Sequence, residues 1–116
     1  MTDTLKRLTE LFPERFEYRA EGIVALKRIG RLATVGSQDG IDSILIEMGR
    51  RYSVQPVFGF SSTSLKRKLF MAVSIYNMDW IFLYRRKIDT TEKLLASQAA
   101  LEAVVEELSK QKGQSK

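Results

Sequence analysis

The 116-residue chain contains neither cysteine nor histidine, and its only prolines are Pro13 and Pro56. Without cysteine there can be no disulfide, no thiolate nucleophile and no cysteine-held zinc or iron–sulfur centre. Without histidine the commonest transition-metal ligand and every histidine-based triad are missing as well. Metal chemistry is thereby restricted to hard cations held by carboxylates, and no cofactor is expected. A long apolar run is also lacking. The strongest candidate, residues 69–84, is sixteen residues long and carries Ser74, Asn77 and Asp79, whereas a helical span needs about 20 apolar residues. The opening residues do not show a charged stretch, an apolar stretch and a cleavage site in order. The expectation is a cytoplasmic protein without a membrane span.

What is present is globular in character. Apolar residues make up 44% of the chain and charged ones 28%, which suits one hydrophobic core rather than a disordered or fibrous chain. A single domain is predicted over residues 1–110, followed by a polar, fraying tail at 111–116. The net charge of +5 is concentrated in the middle: residues 15–87 hold thirteen Lys/Arg against six Asp/Glu, a net of +7. An excess of this kind favours phosphate-bearing partners or an acidic protein surface.

The coarse pattern is α+β: a small, mostly antiparallel sheet with a short N-terminal helix and a long C-terminal helix packed on it. Leu5, Leu8, Leu11 and Phe12 share one face of a first helix, with Thr2, Asp3 or Thr4 as cap and Pro13 as its stop. Residues 15–36 are mixed. Phe16 and Tyr18 alternate with charges as in a strand, while Ile23, Leu26, Ile29 and Leu32 recur every three; glycines at 22, 30 and 36 favour two or three short strands. Residues 37–40 read as a turn. Ile41, Ile44, Leu45, Met48 and Tyr52 then follow helical spacing, with Glu47, Arg50 and Arg51 on the opposite face. Residues 53–60 alternate as a strand that Pro56 places at an edge or a strand start.

Further on, residues 61–64 predict a helix start running to about Asn77, with Leu65, Leu69, Val73 and Tyr76 as its apolar stripe. Residues 80–84 predict a strand covered on both faces. Asp89 and Glu92 form a capping-box pattern ahead of a helix of about five turns. Leu94, Leu101 and Leu108 mark a face whose alanines suit packing on the core better than a free coiled coil.

Two constellations point towards binding. Ser62, Thr63 and Ser64, followed by Lys66, Arg67 and Lys68, would gather hydroxyls, helix-start amides and cations around an anion, although the spacing is not that of a P-loop and the same residues read as an ordinary serine-capped helix with a solvated basic face. Aromatics also recur beside cations: Phe16 and Tyr18 with Arg15 and Arg19, Phe58 and Phe60, then Trp80, Phe82 and Tyr84 with Arg85, Arg86 and Lys87. Single-stranded nucleic acid is held by such pairs, bases on rings and phosphates on cations, while a small domain also needs aromatics in its core.

The acids Asp39, Asp42, Glu47 and Asp79 show no spacing that links them for catalysis, and they read as solvated groups. The sequence therefore predicts a non-enzymatic regulatory or accessory protein that engages nucleic acid or an acidic partner. The residues assigned to that surface are Arg50, Arg51, Ser62, Thr63, Ser64, Lys66, Arg67, Lys68, Arg85, Arg86 and Lys87. The alternatives are a protein-interaction module or small homo-oligomer joined through the C-terminal helix, and a domain binding a phosphate-bearing small ligand such as a nucleotide.

Overall fold

Among the described residues, nine elements follow one another in the order α1 (Thr2–Leu11), β1 (Phe16–Ala20), β2 (Ile23–Leu26), β3 (Arg31–Thr34), α2 (Gln38–Glu47), β4 (Arg50–Phe60), β5 (Arg67–Asn77), β6 (Phe82–Ile88) and α3 (Lys93–Gln114). The computed structural model describes residues 1–60 and 67–114, with side chains for all of these except 58–60, 67–69 and 113–114. The architecture is α+β, as the sequence predicts, but the strands form two antiparallel three-stranded sheets, β1-β2-β3 and β4-β5-β6. No helix among the described residues is long and apolar enough to cross a membrane.

In the first sheet the alternating pattern prevails. Phe16 pairs with Leu26, and Tyr18 and Ala33 both pair with Val24, which puts these side chains on one face. Phe16, Val24 and Leu26 are buried there, while Ile29 and Leu32, members of the competing three-residue period, are 44% and 64% exposed. Gly22, at φ 75°, turns β1 into β2 through a conformation that disfavours any Cβ. At α1 the helix begins beside Met1 without a side-chain cap, so the cap expected from Thr2, Asp3 or Thr4 is not made.

The turn predicted at residues 37–40 is instead the start of α2. Ser37 is its N-cap, its Oγ accepting from the Gly40 amide at 3.1 Å, and Gly40 lies inside the helix. A Cβ at Gly40 would collide with the backbone of Thr34 at the end of β3, so glycine here permits a helix to lie directly on a strand. Ile41, Ile44 and Leu45 are buried beneath it. The helix stops at Glu47, which moves Arg50, Arg51 and Tyr52 from the predicted helix onto β4.

The largest departure is β5. The helix predicted to run to Asn77 is a strand over Arg67–Asn77, paired residue by residue with β4 from Arg50↔Asn77 to Phe60↔Arg67. Val73 and Tyr76 fit a helical stripe, but Met71, Val73 and Ile75 fit a period of two equally well. The second pattern buries more because β5 is the central strand, hydrogen-bonded on both sides and packed on one face. β4 is an edge strand, which accommodates Pro56 as predicted. β6 begins two residues later than expected and is exposed over most of its length rather than covered on both faces.

α3 holds the parts together, touching α1, α2 and all three strands of the second sheet. Ala96, Ala100, Leu101, Val104 and Val105 are buried in a single core with Leu5, Leu8, Ile44, Val73 and Ile75, and the alanines allow close approach. Its start is not the predicted capping box. Thr90 Oγ1 accepts from the Glu92 amide at 3.1 Å, and the Glu92 carbonyl accepts the first helical bond, from Ala96. The helix continues through Gln114.

One acid departs from the solvated reading. Glu47 is buried, and its carboxylate accepts from Arg28 Nε at 3.1 Å and Nη2 at 2.5 Å, while Arg15 Nη1 donates to the Glu47 carbonyl at 2.7 Å. The Arg28 hydrogen bonds hold the Glu47 carboxyl below its ordinary range, against the opposing effect of burial.

Gly40→Ala should lower stability by about 1–3 kcal/mol, because the backbone of Thr34 must move to admit the methyl group; denaturant unfolding midpoints measure this, and an unchanged midpoint would contradict the close approach. Because the folded-state pKa of Glu47 lies below the unfolded one, its ionisation stabilises the fold above the ordinary carboxylate range, and this contribution fades as pH falls through the folded value. Glu47→Gln should therefore reduce stability at neutral pH and flatten its acid limb, with parallel acid limbs in the two proteins as the contrary result.

Candidate functional site

The second sheet has one face against α3 and one turned outward. Tyr52, Val54, Val73 and Ile75 lie on the first, against the core. Rows on the other follow from the register: Arg51, Tyr76 and Phe82; then Ser53, Ser74 and Arg85; then Gln55, Ala72 and Lys87. Successive rows lie about 7 Å apart, two residues along a strand. Arg51, Phe82, Arg85 and Lys87 are exposed, and Tyr76 is half-buried. The register shifts between Ile75 and Tyr76, whose β6 partners are Tyr84 and Phe82. Leu83 is the extra residue of a bulge, and the bulge sends Phe82 to the outer face and Tyr84 to the core face.

Trp80 completes the aromatic group from the β5–β6 turn. Its φ of 65° is a conformation that L-residues adopt rarely. Asn77 holds it: its Oδ1 accepts from the amides of Asp79 and Ile81 at 2.9 and 3.0 Å, and its carbonyl accepts from the Trp80 amide at 3.0 Å. The indole is 64% exposed. Its centroid lies 6.2 Å from that of Tyr76, which in turn packs edge-on to Phe82 at 5.9 Å. The Arg51 guanidinium sits over the indole at 5.3 Å, within the range of a cation–π contact.

Beside this face, between α2 and the β4 edge, runs a cleft of about 510 Å³. α2 contributes Gln38, Asp42, Leu45 and Ile46; β4 contributes Arg50, Arg51, Tyr52 and Val54; Trp80 and Lys93 close it. Its polar floor is a network. Tyr52 OH donates to Asp42 Oδ1 at 2.7 Å and lies 2.8 Å from Ser97 Oγ; Gln38 Nε2 donates to Tyr52 OH at 2.6 Å and Ser97 Oγ at 2.7 Å. Ser97 is fully buried. Burial, with the neighbouring Asp42, pushes the Tyr52 phenol up to about 12 despite the opposing effect of its contact with Ser97.

The cations of the cleft are less well provided. Arg50 is half-buried, its Nε is buried without a hydrogen-bond partner among the described residues, and desolvation lowers its pKa. Its Nη1 makes a long contact, at 3.5 Å, with the Gly49 carbonyl.

The residues singled out from the sequence thus separate. Arg51, Arg85 and Lys87 share the outer face, Arg50 lies in the cleft, and Arg86 is exposed on the β6 edge, paired with Val73. Arg67 and Lys68 are strand residues paired with Phe60 and Gly59, not members of a helix. Ser62, Thr63, Ser64 and Lys66 lie outside the described residues. Of the aromatics, Phe16 is core, and Tyr18 and Tyr84 pack against the core. The seam assigned to the C-terminal helix faces inward, since Leu101 is fully buried and Leu94 and Leu108 pack on the chain's own core. Sequence reasoning missed Tyr76, Gln38, Tyr52, Lys93 and Ser97. Only Tyr76 carried a signal, as a ring in alternation with Ser74 and Ala72.

Compared with protein-family models, curated proteins and solved structures, the chain matches none.

The raised Tyr52 pKa gives a direct test. A phenol that stays neutral to higher pH in the folded state contributes stability that is complete below its unfolded pKa, about 10, and is lost as pH rises towards 12. An absorbance titration of tyrosinate should show a late step near pH 12 that Tyr52→Phe removes; the same number of late-ionising phenols in both proteins would refute the assignment.

Proposed function

We propose that the chain is a non-enzymatic accessory protein that binds single-stranded nucleic acid on the outward face of its second sheet. The observation that carries this reading is the contiguous group of Tyr76, Trp80 and Phe82, with Arg51 over the indole and Arg85 and Lys87 in the next two rows. Unpaired bases offer flat faces to such rings, while their phosphates follow the cations. A duplex hides those faces, so the reading favours single strands.

The excess of positive charge in the middle of the chain supports the same partner, since phosphate neutralisation supplies most of the affinity of such complexes. An acidic protein surface would use the cations but has no need of exposed rings beside them. The inward-facing α3 removes the main support for assembly through that helix.

Binding of a fluorescently labelled single-stranded oligonucleotide, followed by anisotropy across a salt series, tests the proposal. Affinity should fall linearly on a log–log plot against salt, and reversing both Arg85 and Lys87 to Glu should flatten the slope by about 0.7 for each phosphate that is no longer neutralised. Trp80→Ala should weaken binding by about 1–3 kcal/mol, one stacked base, with the fold intact. A flat salt response, or a Trp80→Ala variant that binds as tightly as the parent, would overturn it.

A further inference from the structure

The cleft between α2 and β4 contains groups that strand binding on the outer face does not use. Arg50 is the clearest. It lines the cleft half-buried, and its one side-chain hydrogen bond among the described residues is the long Nη1 contact with the Gly49 carbonyl at 3.5 Å, so an acceptor in the cleft that met its terminal nitrogens would offset part of its desolvation. Arg50 does not line the outer face, because it alternates with Arg51 along β4 and lies on the side of Tyr52 and Val54.

Lys93 is the second unused group. It is exposed on the cleft rim and is the first residue of α3. A cation at a helix N-terminus adds to the positive end of the helix dipole instead of cancelling it, an arrangement that favours an anion nearby. The preceding acid, Glu92, does not line the cleft. With Arg51, the cleft holds three cations against one acid, Asp42, whose Oδ1 already accepts from Tyr52 and Gln38. The balance of these four groups is positive.

The remaining walls decide the rest of the ligand. Trp80 offers a ring at the mouth, Leu45, Ile46 and Val54 are apolar, and the volume of about 510 Å³ lies within the range of small-ligand clefts, roughly 300–1,000 Å³. A bare inorganic anion would leave the ring and the apolar wall unused. We propose that this cleft is a site for a nucleoside phosphate, its phosphate held by Arg50 and Lys93 and its base stacked at Trp80.

The same chemistry has two sources: a free nucleotide, or the phosphorylated end of a strand lying on the adjoining sheet face. Only the second rests on the strand-binding proposal. In either case the Gln38–Asp42–Tyr52–Ser97 network serves as a rigid floor, since its donors and acceptors already satisfy one another.

Trp80 is the single tryptophan of the chain and borders both the cleft and the outer face, so its fluorescence reports a bound ligand and the cleft variants locate it. Titrations of the full chain with nucleoside monophosphates should perturb the emission, whereas the matching nucleosides and inorganic phosphate alone should do so only weakly. Lys93→Glu, an exposed change that leaves the core untouched, and Arg50→Met should each weaken this binding about tenfold or more, the scale of one charge-assisted hydrogen bond. Arg85→Glu combined with Lys87→Glu should weaken oligonucleotide binding yet leave monophosphate binding within about twofold, because neither residue lines the cleft.

A second arm compares one oligonucleotide with and without phosphate at either end. Saturation by the free monophosphate assigns the cleft to free nucleotide, and a response restricted to phosphorylated strands assigns it to the strand end. The inference is overturned if neither the monophosphate nor a terminal phosphate changes binding, or if both cleft variants bind these probes as the parent does. Loss of oligonucleotide binding with monophosphate binding retained would instead count against the strand-binding proposal alone.

Discussion

A hydroxyl group in the wrong kind of place governs much of this structure. Ser97 sits in the middle of the apolar face of α3, fully buried between Ala96 and Ala100, where an unsatisfied hydroxyl would cost about 1–3 kcal/mol. Its partners are Gln38 on α2 and Tyr52 on β4, and both can reach it only when the two elements converge on α3 in one arrangement. A fully connected buried network of this sort fixes geometry more sharply than apolar contact does. The apolar row of Val54, Val73 and Ile75 decides the side of the sheet that α3 covers, and the network ties α2 and β4 to α3 across the gap that becomes the cleft.

The outward face also depends on a local irregularity. With regular alternation Phe82 and Tyr84 would point the same way; the bulge at Leu83 separates them. One ring joins the core, and the other joins Tyr76 and Trp80. Met78, Trp80, Ile81, Phe82 and Leu83 are all 39% exposed or more, which forgoes burial worth roughly 25 cal/mol for each Å² of apolar surface left in water. Together with a left-handed backbone at Trp80 held by Asn77, this concentrates unfavourable features at one turn, as binding surfaces commonly do.

The strands of the first sheet, α1, α2 and α3 were legible because each rests on a local signal: alternation between Phe16 and Tyr18, helical spacing from Ile41 to Met48, and the leucines of the last helix. β5 was not. Val73 and Tyr76 satisfy a helical stripe while Val73 and Ile75 satisfy alternation, and the choice depends on β4 and β6 lying on either side, which no window of sequence contains. The turn at residues 37–40 failed for a related reason, since the need for glycine at position 40 comes from Thr34 across a tertiary contact. Arg51, Arg85 and Lys87 were visible as cations near rings. Arg50 was visible only as charge, and its isolation from other groups belongs to the packing. Tyr52, Gln38 and Ser97 lie up to 59 residues apart, so their meeting has no trace in spacing.

The three consecutive cations of β6 bear on something other than a ligand. β6 and β4 are the two edge strands of the second sheet, and an edge with free backbone groups invites another chain to add itself as a further strand. On β4 the ring of Pro56 removes one donor from that margin. On β6, two copies meeting side by side would bring Arg85, Arg86 and Lys87 of each into register and repel one another. The cations to which the strand-binding proposal assigns phosphate contacts would therefore also disfavour pairing along this edge, and neutralising them would remove both effects together.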